Sequence, residues 1–351
     1  MATSIAFYIH HHGSGHLMRA LQIVKALGDV PIILMGSGLS NVKDLPVNVS
    51  IVHLPFDTAQ NDDEQLVLED TSMGFHYAPI GVKGIRERAA MMTAIFREAY
   101  PLILVVDVSV EVALLARLSG IPTIIMRQHG KRDDLPHVLA YRSAELLVAP
   151  FSESMYQGQK DENYQKTFFT GGFSRFDQLG PTDKTDGKTV SILIGKGGTS
   201  FNLSVIEYIA KCCPSYRFHV IGLQASQDLG LNNVVFHGQT TKPIELMNAS
   251  DLIIGNTGHN TVMEVATLNK RFIGVPENRP FDEQVCKGEA IRHLSGIAIL
   301  SPDELLSANW FGLITELKAK KVNWEETINP KALEELAQVI LTTAQKLFSG
   351  H

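Results

Sequence analysis

The stretch around Glu264 combines two residue patterns that together could bind a sugar nucleotide. An apolar strand pattern over residues 251–254 runs into a turn of small residues that ends at Gly258, and a helical pattern follows. The first turn of a helix carries backbone N–H groups without intrahelical partners, which favour a phosphate. Glu264 falls one turn inside this helix, where its carboxylate could accept hydrogen bonds from both hydroxyls of a ribose.

A second strand–turn–helix pattern opens the chain. Residues 4–10 are apolar, Gly13 and Gly15 lie in a tight turn, and His16 begins a helical pattern whose apolar residues recur at helical spacing. The two glycines let the backbone approach a ligand closely, and the helix start favours negative charge. The dinucleotide-binding fingerprint is not met, because no third glycine stands at the required position.

Short apolar runs that alternate with amphipathic helical patterns indicate parallel sheets with crossover helices. The first half predicts six strands and the second half repeats the pattern with six more. The predicted strands cover residues 4–10, 30–35, 49–54, 102–107, 122–126, 145–148, 189–194, 216–221, 234–236, 251–254, 271–275 and 297–300.

We therefore expect an α/β protein with two Rossmann-like, doubly wound domains that face a central cleft. The first domain is predicted over residues 1–170 and the second over 189–329, joined by a linker of Gly, Asp, Thr and Pro at 171–188. The helix predicted in 330–351 packs against a domain and could return to the first. Ligands of such sheets bind beyond the carboxyl ends of the strands, so the cleft is the expected site.

The composition is that of a soluble globular protein. The 351 residues are 44% hydrophobic and 19% charged, with a formal charge of −6. This balance does not favour nucleic acid as a partner. No apolar run reaches the length of a membrane span, no signal peptide is evident, and three cysteines form neither a metal pattern nor a disulfide framework. We expect a cytoplasmic protein; peripheral membrane contact is left open.

The glycine-rich turn at 13–16, the loop at 195–199, and the segment 258–264 followed by Asp282-Glu283-Gln284 resemble, in this order, the motifs of GT-B-fold glycosyltransferases. The chain is most similar to the MurG-type family, which transfers N-acetylglucosamine from a UDP donor to a lipid-linked acceptor. The resemblance covers nearly the whole chain. Val285 stands where that family has a second glutamine, so the sugar is left open.

The resemblance implies a set of donor-binding residues. Glu264 would bind the ribose hydroxyls, Gln284 would contact the donor sugar, and Arg175 could add positive charge. The full set consists of Gly13, Gly15, Arg175, Gly195, Lys196, Gly197, Gly198, Thr199, Gln239, Thr240, Gly258, His259, Asn260, Thr261, Glu264, Asp282 and Gln284. Within it, the backbone at 259–261 would hold the diphosphate, residues 195–199 would cover the phosphates, and Gln239 with Thr240 would line the base.

Inverting transfer also requires a general base near neutral pKa for the acceptor hydroxyl, and histidine suits that task. His16 is the candidate because it lies at the mouth of the first-domain strands. Asp107, at the end of a predicted strand, could orient the His16 imidazole or act as the base itself. Backbone N–H dipoles would stabilise the leaving diphosphate, so we expect neither a metal nor another cofactor.

Alternatives to these assignments stay open. His16 could merely cap its helix, and Glu264 could be a solvated helix residue. The protein could be a nucleotide-sugar hydrolase similar to the one in pseudaminic acid biosynthesis, whose first loop matches residues 13–19. It could also be a binding module without turnover.

Two further segments have less distinctive patterns. Three consecutive histidines at 10–12 do not favour a metal site, because neighbours on a strand point to opposite faces. Residues 56–83 show no clear periodicity, and we interpret them as an acceptor-binding loop or a surface excursion. The acceptor and the oligomeric state are not predicted.

Overall fold

A computed structural model describes residues 3–11, 15–60, 63, 74–177, 185–195, 197–225 and 230–349. Two parallel sheets contain all the strands of this described part, and helices cover both faces of each sheet. No helix within it is long and apolar enough to cross a membrane.

The first sheet has seven strands in the order β3-β2-β1-β4-β5-β6-β7. Its strands are β1 Ser4–Ile9, β2 Ile32–Gly36, β3 Val49–His53, β4 Leu102–Val106, β5 Thr123–Met126, β6 Leu146–Ala149 and β7 Thr167–Phe169. The helices of this half are α1 Gly15–Leu27, α2 Lys83–Glu98, α3 Val110–Leu118, α4 Leu135–Ser143 and α5 Glu162–Gln165.

The second sheet has six strands in the order β10-β9-β8-β11-β12-β13. They are β8 Thr189–Leu193, β9 Arg217–Ile221, β10 Val234–Gly238, β11 Leu252–Asn256, β12 Arg271–Val275 and β13 Ile297–Ile299. The remaining helices are α6 Leu203–Cys212, α7 Pro243–Ala249, α8 His259–Thr267, α9 Glu283–Ile291, α10 Trp310–Ala319 and α11 Ala332–Phe348.

All twelve predicted strands are present, with ends that shift by a few residues, and the predicted fold class is correct. The sequence did not predict β7, a three-residue strand that pairs with β6 at the sheet edge. It is too short to show a periodicity. The predicted domain limits stay a prediction, since sheet membership does not show which segments fold independently.

In each sheet the strand order reverses at one point. In the first sheet, β1 lies between β2 and β4; in the second, β8 lies between β9 and β11. Loops that leave two neighbouring strands in opposite directions open a crevice at such a point, where ligands of doubly wound folds bind. The turns that follow β1, β4, β8 and β11 therefore have the positions of a binding site.

Helix α11 packs on the first sheet although it follows the second in sequence. Leu336 and Ile340 are fully buried in the same apolar cluster as β1, α1 and β2. A second cluster joins the two halves, because Phe151 and Met155, which follow β6, pack among residues of α8 and β12. The two halves thus share apolar contacts through this second cluster.

Candidate functional site

A cleft of about 480 Å³ lies between the two sheets, at the point where both strand orders reverse. The starts of α1 and α8 approach each other across it: a Cβ atom added to Gly15 would lie 3.0 Å from Asn260 Nδ2. Two helix N-termini with unpaired N–H groups therefore face one space. This arrangement can hold an anionic ligand between the two halves.

The wall from the first half is built around Asp107, which follows β4. His16 Nδ1 lies 2.8 Å from Asp107 Oδ2, and Arg19 donates to both carboxylate oxygens at 2.8–3.2 Å. Gln128 Nε2 donates to Oδ1 at 3.1 Å. His16 and Arg19 come from α1 after β1, so the pairing of β1 with β4 brings these groups together.

These contacts determine the ionisation of Asp107. Burial acts to raise the pKa of its carboxyl, but the Arg19 guanidinium and His16 outweigh this effect and hold the pKa well below its usual value. The ionised carboxylate can only accept hydrogen bonds, so His16 Nδ1 must donate. In a neutral His16 ring, Nε2 then carries the lone pair that a general base requires.

The wall from the second half contains Glu264, on the first turns of α8. Its side chain is 13% exposed, and Oε1 accepts a hydrogen bond from Arg175 Nε at 2.8 Å. Burial raises the pKa of Glu264, and Arg175 opposes this shift. Because the carboxylate lines the cleft and is largely buried, the alternative that Glu264 is a solvated helix residue is wrong.

Glu277, a residue that sequence reasoning did not assign, holds the glycine-rich loop after β8. Its Oε1 accepts from Ser200 N and from Asn256 Nδ2 at 2.5 and 2.9 Å, and its Oε2 accepts from Ser200 Oγ at 2.9 Å. Arg279 Nη2 donates to Gly198 O at 2.7 Å. The loop is thereby tied to the end of β11 and to the segment that precedes α9.

The start of α9 lies behind the turn that precedes α8. Gln284 is buried, its Oε1 accepts from Glu277 N at 3.0 Å, and its backbone oxygen accepts from Thr257 Oγ1 at 2.7 Å. The Asp282 carboxylate pairs with Lys131 Nζ of the first half at 2.8 Å. Asp282 thus forms an exposed ion pair between the halves, and it is not among the residues that line the cleft.

Most of the predicted donor-binding residues lie together. Those that line the cleft are Gly15, Arg175, Gly195, Gly197, Gln239, Thr240, His259, Asn260, Thr261 and Glu264. Gly198, Thr199, Gly258 and Gln284 lie beside these residues without lining the cleft itself, and His16 with Asp107 lines a small adjoining cavity. Asp282 is not brought to the cleft and pairs with Lys131 instead. Gly13 and Lys196 lie outside the described residues.

Several cleft residues were not predicted from the sequence. Arg19, Met18 and Gln22 line the cleft from α1, and Phe173 and Ser174 line it from the segment that precedes Arg175. Arg19 could have been found, because it completes the Gly-x-Gly-His-x-x-Arg pattern that begins at residue 13. Its position among apolar residues at helical spacing concealed its role.

Histidines outside the cleft form two groups whose ligand atoms lie within 4.8 Å of one another: His10, His11 and Asp57, and His76, Asp134 and His137. The expectation that neighbouring histidines diverge is wrong for His10 and His11, whose rings stack 4.8 Å apart because β1 ends before them. Arg88 Nη1 lies 2.5 Å from Asp57, and its positive charge disfavours a cation there.

The second half of the chain is similar in sequence to known glycosyltransferases. Residues 219–342 match the glycosyltransferase family 28 C-terminal domain. A curated relative from Clostridium botulinum (strain Alaska E43 / Type E3) is UDP-N-acetylglucosamine--N-acetylmuramyl-(pentapeptide) pyrophosphoryl-undecaprenol N-acetylglucosamine transferase. It is 24% identical over 108 residues, which are 29% of this chain and 30% of the relative. The match therefore spans about a third of the relative's length.

Solved structures extend the likeness to the whole fold. Acinetobacter baumannii MurG superposes with a TM-score of 0.67 at 15% identity and covers 97% of this chain and 100% of its own. Phytolacca americana UGT2, solved with UDP-2fluoro-glucose and pterostilbene, gives a TM-score of 0.66 at 14% identity, with 98% and 100% coverage. These comparisons confirm the predicted GT-B architecture and the predicted resemblance to the MurG-type group.

Proposed function

Because residues 219–342 carry a glycosyltransferase family 28 domain within a GT-B fold, we propose that this protein is an inverting glycosyltransferase with a nucleoside-diphosphate sugar as donor, most simply a UDP-sugar. The observation that carries the proposal is the meeting of the α1 and α8 starts across one cleft. The diphosphate has N–H donors at α8, while a base stands on the opposite wall.

The donor is held by the second half. The ribose hydroxyls donate to Glu264, the diphosphate lies against the α8 start at residues 259–261, and Gln239 with Thr240 lines the base. Support comes from the burial of Glu264 beside Arg175 and from the lining of the cleft by all of these residues. The curated relative and Phytolacca UGT2 carry UDP in their names, which supports uracil as the base.

The chemical step takes place at the first-half wall. The acceptor hydroxyl oxygen attacks the anomeric carbon while the bond from that carbon to the β-phosphate oxygen breaks, and the electron pair leaves with the diphosphate. The hydroxyl proton passes to His16 Nε2. Asp107 holds the imidazole in the required tautomer and stabilises its protonated form, since its low pKa makes it a weak base itself.

The acceptor is proposed to bind beside the described part of residues 56–83. Phe56 is 44% exposed and packs edge-on against His11 with ring centroids 5.1 Å apart, and the neighbouring His10 packs edge-on against His16. An exposed aromatic side chain close to the proposed base suits an acceptor that has an apolar part.

The test is to assay UDP release from UDP-N-acetylglucosamine and UDP-glucose with a panel of lipid-linked and aromatic alcohols. We expect acceptor-dependent release, and an inverted anomeric configuration in the product by NMR. His16→Ala should lower turnover by about 10²–10⁴-fold with UDP affinity kept, because only the proton acceptor is lost. The exposed His293→Ala serves as a matched control.

Two results contradict the proposal. Equally fast appearance of free sugar without any acceptor indicates the hydrolase. Nucleotide binding by a protein that turns over no donor with any acceptor, and in which His16→Ala changes nothing, indicates the binding module.

A further inference from the structure

A lysine is buried behind the start of α8, next to a histidine that lines the cleft. Lys287, on α9, is 1% exposed, and its Nζ lies 3.2 Å from His259 Nδ1. The Nζ atom also lies 5.1 Å from the centroid of the Phe151 ring. Among the described residues, no carboxylate forms an ion pair with Lys287, which is unusual for a lysine so fully buried.

The contact with Lys287 bears on which ring nitrogen of His259 can donate a hydrogen bond. Burial, with the charge of Lys287 added to it, lowers the pKa of His259 well below its usual value, so the ring is neutral. Burial also lowers the pKa of Lys287 well below its usual value. An ammonium at Lys287 has only donors, so in that state the contact at Nδ1 leaves the proton of the neutral ring on Nε2, and an anion in the cleft favours the ammonium over the amine. His259 thus presents an N–H donor at a residue that lines the cleft.

Across the cleft, Arg19 has one N–H group that makes no hydrogen bond within the described part of the chain. Its Nε and Nη2 atoms bond Asp107, but Nη1 is buried without a hydrogen-bond partner in the described part of the chain. Arg19 is 6% exposed and lines the same cleft as His259. A buried N–H donor without a partner is costly, and the free Nη1 of Arg19 and the N–H of His259 at one cleft suit a ligand that accepts two hydrogen bonds, such as an anion.

We propose that Arg19 and His259 form a side-chain clamp, one donor from each half of the protein, for the diphosphate of the donor, and that Lys287 is the positioning residue that keeps His259 in its donating tautomer. The clamp rests on the proposed function and adds to the backbone N–H groups of α8. It uses two side chains to bridge the halves around the leaving group.

The test compares binding of uridine and of UDP by calorimetry. We expect His259→Ala and Lys287→Met to weaken UDP by about 10- to 100-fold, the loss of a hydrogen bond to a charged group. Uridine should bind each variant as it binds the wild type, because the nucleoside lacks the diphosphate. The exposed pair His293→Ala and Lys211→Met provides matched controls.

A double-mutant cycle separates positioning from a structural role. If Lys287 acts through His259, Lys287→Met should add nothing to the loss of UDP affinity in a His259→Ala background. His259→Ala changes a half-buried surface residue, so it is informative even where Lys287→Met does not fold.

The outcomes distinguish the two proposals. A wild-type protein that binds neither uridine nor UDP overturns the proposed function and this inference with it. A wild-type protein that binds UDP, together with a His259→Ala variant of unchanged UDP affinity, overturns the clamp alone. Equal losses for uridine and UDP also overturn it, because they show general disruption of the cleft.

Discussion

At the scale of single residues, the site depends on two carboxylates whose pKa values are shifted in opposite directions. Asp107 has three side-chain partners, and its pKa is lowered; Glu264 has one, and its pKa is raised by burial. The first is suited to orient a base, and the second to exchange its partner for a ligand. Arg175 is 40% exposed, so it can move aside when hydroxyls approach Glu264.

Glu264→Ala should weaken UDP binding by about 1–3 kcal/mol, because it removes hydrogen bonds in which the acceptor is charged. The sharper measurement compares UDP with its 2′-deoxy and 3′-deoxy analogues. Wild type should prefer UDP, and the variant should bind all three equally. The exposed Glu289→Ala is the control. A variant that still discriminates the deoxy analogues would show that another group binds the ribose.

The sequence predicted His16, Asp107 and Glu264 because residues at the carboxyl ends of parallel strands meet at one edge of a sheet. Arg19 was within reach of the sequence through its glycine–histidine pattern, but Lys287 was not. A lysine in an amphipathic helix is ordinarily solvated. Only the contact between α9 and the start of α8 shows that Lys287 is buried, and such long-range contacts leave no local pattern.

At the scale of elements, the start of α4 contains a chain of hydrogen bonds in which both ring nitrogens of a neutral His137 have partners. Asp134 caps the helix and accepts from His137 Nδ1 at 2.6 Å, while Arg132 Nη1 lies 2.9 Å from His137 Nε2. A neutral ring donates once and accepts once here. Protonation would direct a second N–H at the guanidinium.

This arrangement predicts a loss of stability on mild acidification. Burial, aided by Arg132 and opposed by Asp134, lowers the pKa of His137 to about 4. The unfolded chain, with a pKa near 6.5, then binds more protons between these values, so the free energy of unfolding falls as pH falls through that window. His137 contributes on the order of 2–3 kcal/mol to this fall.

Denaturant unfolding at about pH 7 and pH 4.5 measures the effect against a variant that cannot titrate there. His137→Gln keeps one donor and one acceptor, so its stability should depend less on pH over this interval. All other titrating groups are common to both proteins. An equally steep fall in the variant would exclude His137 as the cause.

The strands could be predicted from the sequence because each buried strand is a continuous apolar run between turns. Sheet order could not, since it depends on which strands pair across long sequence separations. The position of α11 illustrates this limit. Its apolar face was evident, but that face fits either sheet equally well by pattern alone.

At the scale of the whole molecule, α11 makes the first half dependent on the end of the chain. Ile340→Ala should cost about 2–5 kcal/mol, the usual range for a large-to-small change in a packed core. The loss should appear in the first half, because Ile340 packs with β1 and α1. Gln338→Ala, on the exposed face of the same helix, should change little.

The two tryptophans allow the unfolding of the second half to be followed separately from that of the whole protein. Trp310 and Trp324 are both buried among residues of the second sheet, so their fluorescence reports unfolding there. Circular dichroism reports helices of both halves. Ile340→Ala should shift the dichroism transition more than the fluorescence transition. A shift confined to tryptophan emission would assign α11 to the second half.

The chain passes between the halves twice, and the two passages are bonded to each other. Gly172 N donates to Thr327 O at 2.7 Å, Asn329 N donates to Gly172 O at 3.0 Å, and Asn329 Nδ2 donates to Thr170 O at 2.8 Å. Two connections that are bonded to each other constrain the relative positions of the halves more than a single tether does. Any movement of one half against the other must therefore bend both passages together.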